Sequence, residues 1–318
     1  MKPEIIVVGE ALVEVMRKGR DCPLYEPGEF LGPYPSGASG IFASAAARLG
    51  GSVGFITTIG NDDFGRCIQD RMERDGIDLT YLKVVPDRMT GVAFVAYFSD
   101  GSRKFIYNVR EGAPAAMDPN QVQPEYFTDV RWLHVMGFAL TISKGCRQAC
   151  YKAVDLVKKR GGKISLDPNL RPEVLTIEEV RRLCRPVLEA SEIVFPSGSE
   201  ATMLAGVEDP EEAVRVLLQQ GPKIVALKQG EKGSIVFTAE QRIVVPPFQV
   251  VEVDPTGAGD CYDAAFVVGI LEGWDLERTA RFANAVGALA TTRQGPMEGT
   301  FSRGEVMAFM AKQATPAG

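Results

Sequence analysis

The sequence predicts an α/β protein in which a mainly parallel central sheet is flanked by helices and carries a small β-sheet lid. Short β-branched runs alternate with longer helical patterns, the order that builds βαβ units. The first run, Ile5–Val8, is apolar at every position, as is typical of a strand buried on both faces. Residues 88–112 interrupt the alternation, because two strand patterns flank an Asp-Gly turn at Asp100-Gly101. We therefore expect a hairpin that stands apart from the main sheet.

The first half of the chain follows this scheme with one irregular stretch. Residues 11–35 are polar and rich in glycine and proline, and we interpret them as irregular structure. Together with residues 88–112 they are expected to form the lid of one α/β domain that spans residues 1–318. The regular elements between these two segments are a glycine turn and small-residue helix at 36–50, a strand at Val53–Thr57 and a helix at Asp62–Asp75.

In the second half the alternation of strand and helix resumes, with no linker or repeat. Continuous apolar runs predict four strands, a second hairpin follows them, and amphipathic patterns predict the helices between and after them. The predicted strands are Trp132–Met136, Lys163–Asp167, Ile193–Phe195 and Ile224–Lys228, the hairpin is Ser234–Thr238 with Arg242–Val245, and the helices are Ser143–Arg160, Ile177–Ala190, Glu211–Gln220, Leu276–Arg293 and Glu305–Lys312.

Composition excludes several classes of partner. Acidic residues outnumber basic ones by 41 to 35, which argues against nucleic acid as the main partner. No apolar run reaches the roughly 18 residues that a membrane span needs. The chain runs directly into its first strand without a signal-peptide pattern. These features predict a cytoplasmic protein whose partners are small molecules.

The six cysteines and the single histidine do not predict a metal centre. The cysteines are scattered and form no Cys-x-x-Cys pair, while His134 is flanked by Trp132, Leu133 and Val135 as in a buried strand. A zinc site is therefore not expected. Free thiols in a reducing compartment fit this pattern.

The stretch with the clearest chemistry is residues 250–266. Val250, Val251 and Val253 suit a buried strand, glycines break it, and an apolar helix follows. The turn Gly257–Gly259 should then place free backbone N–H groups and the positive end of the helix dipole at an anion site. A carboxylate beside such a site weakens simple anion binding. Asp260 is therefore interpreted as a base that takes a proton from a hydroxyl while the N–H groups hold a phosphoryl group.

The same local pattern also fits an ordinary helix start, because Gly-x-Gly turns and first-turn aspartates are common. Two nucleotide motifs are excluded. No Gly-x-x-x-x-Gly-Lys-Ser/Thr occurs, so there is no P-loop, and Tyr262 stands where the dinucleotide fingerprint requires its third glycine.

Asp254–Asp260, with the sequence DPTGAGD, resembles the Asp-Thr-x-Gly-Ala-Gly-Asp signature of the ribokinase-like (PfkB-type) sugar kinases, with Pro255 in place of threonine. Further matches occur in the order of that family. They are Gly9–Glu14 (GEALVE), residues 36–50 (SGASGIFASAAARLG), Ile59–Gly65 (IGNDDFG), Asp167–Arg171 (DPNLR), and Lys228–Gly233 (KQGEKG). The resemblance covers nearly the whole chain and implies a ribokinase-like fold.

The resemblance implies a role for each matching residue. Asp260 would be the catalytic base, with Gly257, Ala258 and Gly259 as the anion hole. Glu14, Gly37, Ala38, Arg110 and Arg171 would lie on the sugar side, and Lys228, Gly230, Gly233 and Asn284 on the nucleotide side. Glu200 would place Mg²⁺ through water, although Ser197 replaces the usual asparagine of that motif. Asp254 and Thr256 would help to hold a monovalent cation such as K⁺. Ile41 stands where the family usually has a substrate-binding asparagine.

These inferences predict an ATP-dependent sugar kinase that uses Mg²⁺ and phosphorylates a primary hydroxyl. Its Asp167–Arg171 element is shared by kinases of neutral ketoses and of 2-keto-3-deoxygluconate. In an extended segment Tyr107 and Arg110 point to opposite faces, so they could not both grip one carboxylate. We therefore favour a ketohexose of the fructose or tagatose kind. The alternatives are a 2-keto-3-deoxygluconate kinase, a nucleoside kinase of the same fold, and a non-catalytic sugar or nucleotide sensor. A homodimer formed through the lid is also expected.

Overall fold

A computed structural model describes residues 2–171 and 175–314 of the chain. Over these ranges it contains thirteen β-strands, and their pairing divides them into a large sheet and a small one. The strands are β1 Ile5–Val8, β2 Leu12–Arg17, β3 Phe30–Ser36, β4 Val53–Gly60, β5 Leu82–Val85, β6 Gly91–Tyr97, β7 Arg103–Asn108, β8 Trp132–Met136, β9 Lys163–Asp167, β10 Ile193–Val194, β11 Ile224–Lys228, β12 Ser234–Phe237 and β13 Arg242–Val245.

The large sheet has nine strands in the order β13-β12-β11-β10-β9-β8-β1-β4-β5. The seven strands from β11 to β5 are parallel, and β12 and β13 add an antiparallel hairpin at one edge. All four residues of β1 are buried because β1 lies in the interior of this sheet between β8 and β4. The predicted, mainly parallel central sheet is thus confirmed.

Helices cover both faces of the large sheet, and each face has its own apolar core. One core joins the sheet to helices α1, α2, α8, α9 and α10, and the other joins it to α3 through α7. The helices are α1 Ala38–Arg48, α2 Asp63–Arg74, α3 Gly137–Ile142, α4 Lys144–Lys159, α5 Ile177–Leu188, α6 Gly198–Ala205, α7 Pro210–Gln219, α8 Ala258–Leu271, α9 Leu276–Ala290 and α10 Arg303–Ala314. The short helices α3 and α6 were not predicted. None of the helices in the described ranges could cross a membrane, because none is both long and apolar enough.

The small sheet is the lid, with strand order β3-β2-β6-β7. The predicted hairpin within 88–112 is confirmed as β6 and β7, which pair antiparallel. The interpretation of residues 11–35 as irregular is wrong for both ends of that segment, since β2 and β3 are strands. Strand β2 pairs in parallel with β6, which lies about eighty residues further along the chain, so its strand character depends on a distant partner.

The predicted strand at residues 250–253 is also wrong. The segment pairs with no strand in the described part of the chain, and Val251 and Val253 are 85% and 51% exposed. The backbone N–H groups of Val253 and Asp254 instead donate to the carbonyl of Thr291 at the end of α9, at 2.8 and 3.0 Å. Hydrogen bonding to a helix end therefore replaces the ladder that the valines suggested.

His134 lies in β8 as predicted and is fully buried. Its ring stacks on Phe42 with centroids 3.8 Å apart, and its Nδ1 lies 2.8 Å from the Ser165 hydroxyl. Burial lowers the pKa of His134 to about 3, so the ring stays neutral as part of the core.

Candidate active site

A cleft of about 640 Å³ lies between the lid and the ends of several parallel strands. Its volume falls within the usual range for small-molecule sites. Open α/β sheets bind ligands at the carboxyl ends of their strands, which is where β9 and β11 bring Asp167 and Lys228. From the lid, Glu14 and Arg103 line the opposite wall. The cleft is therefore built by both sheets.

The floor of the cleft contains the turn that starts α8. Gly257 is the N-cap of this helix and has a left-handed backbone with φ +81°. A Cβ atom at this position would lie 2.8 Å from the carbonyl oxygen of Pro296 and 3.1 Å from Ile41 Cγ2. Gly257, Ala258 and Gly259 all line the cleft, so the first-turn N–H groups lie at its surface. The turn that was predicted as an anion site therefore lies in the cleft.

Asp260 follows this turn and also lines the cleft, although only 8% of its surface is exposed. Burial raises the pKa of its carboxyl to about 7, and the nearby Asp167 acts in the same direction. The positive charges of Lys228 and Arg171 oppose this shift. A carboxyl with a pKa near neutrality can accept and release a proton at physiological pH, as a general base must.

Lys228, predicted on the nucleotide side, belongs to a buried charge cluster at the cleft floor. Its Nζ lies 2.7 Å from Asp167 Oδ2 and 3.1 Å from Asp263 Oδ1. A Cβ atom at Gly259 would lie only 3.3 Å from the same Nζ, so the ammonium group also adjoins the anion hole. Burial raises the pKa of Asp263 well above its usual value. Lys228 therefore contributes positive charge beside the reacting groups while it is held by two acids.

The sequence interpretation missed Asp263 and the role of Asp167 in this cluster. A signal for Asp263 was present, because it is a lone acid three residues after Asp260 in an otherwise apolar helix. Residues three apart share one helix face, so Asp263 had to lie near Asp260. For Asp167 the signal was its place at the carboxyl end of a buried strand.

Glu14, predicted on the sugar side, lines the cleft from the lid and is 3% exposed. Its Oε2 accepts a long hydrogen bond from the Ser36 hydroxyl at 3.4 Å, and its Oε1 is buried without a partner among the residues the structure describes. Burial, together with the charge of Asp254, raises the pKa of Glu14 to about 8. An under-satisfied buried oxygen at a cleft wall is a favourable partner for a ligand hydroxyl.

Gly37 and Ala38, at the start of α1, also line the cleft as predicted. Gly37 has φ +96°, and a Cβ atom there would lie 3.0 Å from the Glu10 carbonyl oxygen. Glu10 was not predicted as a site residue, yet it is buried at the cleft wall, where Oε2 accepts the Ser39 hydroxyl at 3.0 Å. The close packing explains why a glycine begins this helix.

Of the two predicted sugar-side arginines, only Arg171 lies in the cleft. Its Nη1 donates to the Leu170 carbonyl at 3.0 Å. Burial lowers the pKa of Arg171, but Tyr107, Glu200 and Asp260 raise it by more, so the guanidinium stays charged. Arg110 is exposed and is not among the residues that line the cleft, and its Nη2 donates to the Thr141 carbonyl at 3.2 Å.

A different lid arginine, Arg103, lines the cleft, as we had expected of Arg110. Arg103, Phe105 and Tyr107 alternate along β7 and all line the cleft. The period of two in a strand puts these three side chains on one face, and that pattern was readable from the sequence. Arg110 lies beyond the end of β7, so strand alternation does not fix its direction.

The predicted nucleotide-side residues Gly230, Gly233 and Asn284 line the other end of the cleft. Gly230 and Gly233 have φ +58° and +86°, which favour glycine. Asn284 is 7% exposed, and its Nδ2 donates to the carbonyls of Val245 and Pro246 at 3.1 and 3.0 Å. It therefore holds the chain that leaves β13 against α9 at the cleft edge.

Glu200 lines the cleft, and each of its carboxylate oxygens accepts a hydrogen bond from a backbone N–H group. Oε1 accepts the N–H of Leu170 and Oε2 accepts the N–H of Ser197, both at 2.8 Å. Within residues 2–171 and 175–314, no three His, Cys, Asp or Glu side chains are arranged to hold a metal ion. Mg²⁺ keeps several waters and is often held by substrate phosphates, so a single carboxylate with remaining acceptor capacity fits a water-mediated role.

Asp254 and Thr256 lie together just before the anion hole. Asp254 is 3% exposed, and its Oδ1 accepts the N–H of Thr256 at 3.0 Å while Oδ2 accepts the N–H of Gly295 at 2.9 Å. The Tyr97 hydroxyl of the lid also donates to Asp254 Oδ1 at 3.0 Å and contacts Thr256 Oγ1. Tyr97 was not predicted as a site residue, because nothing in the local sequence links it to this loop.

This fold and site define a class of enzyme that transfers a phosphoryl group to a hydroxyl: a helix N-terminus forms an anion site, and a buried carboxylate lies beside it in a cleft that a lid covers. The pfkB family carbohydrate kinases match the chain over residues 2–302. The chain therefore belongs to the pfkB family of carbohydrate kinases.

Sequence and structure comparisons with kinases of known name are consistent with this family. The probable fructokinase-3 of Arabidopsis thaliana is 30% identical, with 97% of this chain and 92% of that protein covered. The aminoimidazole riboside kinase of Salmonella typhimurium is 31% identical, with 92% and 91% covered. A solved structure of a putative ribokinase II from E. coli in complex with ATP and Mg²⁺ is 40% identical, has a TM-score of 0.92, and is matched over 98% of this chain and 99% of that one.

Proposed function

We propose that this carbohydrate kinase transfers the γ-phosphoryl group of ATP to the primary hydroxyl of a ketohexose of the fructose or tagatose kind. The observation that carries the proposal is the pairing of Asp260, with its pKa near 7, and the Gly257–Gly259 turn on one cleft floor. The lid supplies the sugar side of this cleft and the Gly230–Gly233 turn the nucleotide side.

In the proposed reaction Asp260 accepts the proton of the primary hydroxyl, and the hydroxyl oxygen forms a bond to the γ-phosphorus. The bond from that phosphorus to the β–γ bridging oxygen breaks, and ADP leaves. The N–H groups of Gly257, Ala258 and Gly259 stabilise the charge on the transferring phosphoryl group. Lys228, held by Asp167 and Asp263, adds positive charge beside them. The lid limits wasteful hydrolysis of ATP by excluding water.

Mg²⁺ is the metal ion in this proposal. When bound, it would neutralise charge on the ATP phosphates. Glu200 would orient its waters, since each Glu200 oxygen can accept a further hydrogen bond beside its backbone donor. K⁺ is proposed as a second, monovalent cation near Asp254 and Thr256, because the buried Asp254 carboxylate has only neutral hydrogen-bond donors in the described structure.

A neutral ketose is supported by the hydroxyl-binding groups of the cleft and by the position of Arg110. Glu14 presents an unpartnered oxygen suited to a sugar hydroxyl. Arg110, the residue that an acid sugar would have needed in our sequence argument, lies outside the cleft. The similarity to a probable fructokinase points the same way.

A second candidate, a kinase of an acid sugar such as 2-keto-3-deoxygluconate, is favoured by a different observation. Arg103 and Arg171 both line the cleft, and Tyr107 lies beside Arg171. A carboxylate could be gripped by such an arginine. A nucleoside substrate is the third candidate, supported by the similarity to aminoimidazole riboside kinase. A sensor without catalysis has the least support, because the Asp260 turn is intact.

The test is ADP formation from ATP with fructose, tagatose, 2-keto-3-deoxygluconate and adenosine. We expect the highest kcat/KM with a ketose and a loss of roughly 10²–10⁴-fold in kcat for Asp260→Asn. Arg171→Ala and Arg110→Ala form a matched pair, because one lines the cleft and the other does not. A tenfold preference for the acid sugar that only Arg171→Ala abolishes would contradict the ketose. ATP turnover unchanged by every acceptor would favour the sensor.

The proposal also includes a homodimer formed through the outer face of the lid and a cytoplasmic location. Phe30, Phe94 and Ile106 are 40%, 37% and 53% exposed on that face, and Phe30 and Phe94 meet edge to face at 6.2 Å. Clustered exposed aromatic and aliphatic side chains often mark an interface. All six cysteines have free thiols, which fits a reducing compartment.

A further inference from the structure

We propose that Tyr97 is a latch: its hydroxyl ties the lid to the loop that shapes the anion hole, so that closing the lid and ordering the phosphoryl site become one event. The kinetic part of this proposal rests on the proposed function. Tyr97 is the last residue of β6, so it moves with the lid sheet. It lies beside the cleft and is not among the residues that line it, so it would act as a positioning residue and not by touching the sugar.

The latch joins two separate parts of the fold through one hydroxyl group. Tyr97 Oη donates to Asp254 Oδ1 at 3.0 Å, and it also contacts Thr256 Oγ1, which can act as the donor in that contact. Asp254 and Thr256 stand three residues and one residue before Gly257, the N-cap of α8. The phenol therefore fills both its donor and its acceptor capacity on the loop that leads into the anion hole.

At the loop end of the latch, Asp254 takes part in several further hydrogen bonds. Asp254 is buried and also accepts the N–H groups of Thr256 and Gly295, so its position is fixed from two sides. The N–H of Val253 and the N–H of Asp254 are both held by the Thr291 carbonyl. A displacement of Tyr97 would therefore break its bond to Asp254 and remove one of the contacts that order this loop.

The lid end of the latch faces the same ligand that the cleft would bind. Register aligns Glu14 with Ala93 and Ala93 with Tyr107, so these residues form one cross-strand row of the lid, and all three line the cleft. Tyr97 lies on the same β6 strand as Ala93, four residues away, and hence on the same face. A sugar held by this face would draw Tyr97 toward Asp254.

The experiment compares wild type with Tyr97→Phe, which removes only the hydroxyl, and with Tyr81→Phe as a matched control. Tyr81 lies outside the cleft, where its hydroxyl donates to Glu125 at 3.4 Å. Hydrogen–deuterium exchange, which requires no substrate, is followed in the lid at 91–108 and in the loop at 253–259. We expect Tyr97→Phe to exchange faster in both segments, and Tyr81→Phe to match wild type in both. Faster exchange in only one segment, or in neither, would overturn the latch.

The kinetic arm measures kcat and KM with the best acceptor. The bond to Asp254 has a charged acceptor, so its loss should lower kcat by roughly 10–100-fold. The KM for ATP should stay within about twofold, whereas a general loss of structure would change both parameters. An unchanged kcat for Tyr97→Phe would overturn the functional role of the latch. If wild type phosphorylates no acceptor, the proposed function fails, while the exchange result still decides whether the latch exists.

Discussion

The carboxyl of Asp260 combines two properties that usually conflict, because it is nearly buried and yet must become charged to act as the proposed base. Burial raises its pKa to about 7, while Lys228 and Arg171 keep the charged form accessible. A residue with this balance is basic enough to take a proton and is half ionised near neutral pH. The charge of Lys228 in the neighbouring cluster would thus tune the proposed base.

The first prediction follows from the sign of this shift. A general base works in its deprotonated form, so kcat/KM should fall as pH drops through about 7, by about tenfold for each pH unit below it. An ordinary surface aspartate would place this limb near its usual value of about 3.9. The measurement is the pH profile of kcat/KM with saturating Mg-ATP. A flat profile between pH 5 and 8 would remove Asp260 from the role of base.

Glu14 gives a prediction about stability at the same scale. Its pKa is raised to about 8 in the folded state, mainly by burial, against 4.5 as the reference value. The folded state therefore holds a proton that the unfolded chain has lost over this window, and stability falls as pH rises from about 4.5 to 8. Glu14→Gln removes the ionisation, so its melting temperature should exceed that of wild type by more at pH 8.5 than at pH 5.

The control for this experiment is Glu231→Gln, an exposed glutamate with the same change of side chain. It should shift the melting temperature by similar small amounts at both pH values. An equal shift for Glu14→Gln at the two pH values would show that Glu14 is not held protonated.

At the scale of elements, the turn that precedes α8 depends on glycine for two separate reasons. The left-handed φ of Gly257 disfavours a side chain, and Pro296 and Ile41 leave no room for a Cβ atom. Ile41 lies in α1, where the family usually has asparagine, and its side chain packs against the Gly257 turn. The helix that begins the fold and the helix that bears Asp260 meet at this point.

The third prediction separates these two reasons. Gly257→Val should fold but lose nearly all turnover, because the anion hole must shift. Gly76→Val is the matched control, since Gly76 has φ +78° with nothing within 4 Å of its Cβ position. Backbone strain should cost each variant about 1–2 kcal/mol of stability. Gly257→Val should lose more than Gly76→Val in denaturant unfolding, because its side chain also overlaps the Pro296 carbonyl. Normal turnover in folded Gly257→Val would show that the phosphoryl group binds elsewhere.

At the scale of the whole molecule, the outer face of the lid exposes large apolar side chains that no other part of the described chain covers. Its inner face lines the cleft, whereas Phe94 and Ile106 pair across β6 and β7 on the outer face and stay partly exposed. A contact between two such faces would bury this apolar surface and brace both lids.

The fourth prediction is that wild type elutes as a dimer in size-exclusion chromatography with light scattering, and that Ile106→Glu elutes as a monomer. A buried charge without a partner would disrupt the apolar contact. Met307→Glu, on α10, replaces an equally prominent exposed residue and should leave the mass unchanged. A monomeric wild type would contradict the proposed interface.

The sequence by itself determined the features that depend on neighbouring residues. Strand and helix periods predicted the order of the main elements, and the Asp-Gly turn predicted the hairpin of the lid. The glycines before α8 predicted an anion site with Asp260 beside it, because turn geometry and helix ends are local properties. The residues of this turn lie where the sequence argument put them.

Only the tertiary structure decided the features that join distant segments. Residues 11–35 supply two lid strands because β6 lies beside β2. The segment 250–253 forms no strand, and the N–H groups of Val253 and Asp254 donate to Thr291 instead. The choice of Arg103 over Arg110, the acids that hold Lys228, and the contact from Tyr97 to Asp254 likewise depend on which segments meet. Local sequence patterns predict the conformation of a segment and which of its faces is buried. They do not record its partner, because pairing depends on the packing of the whole chain.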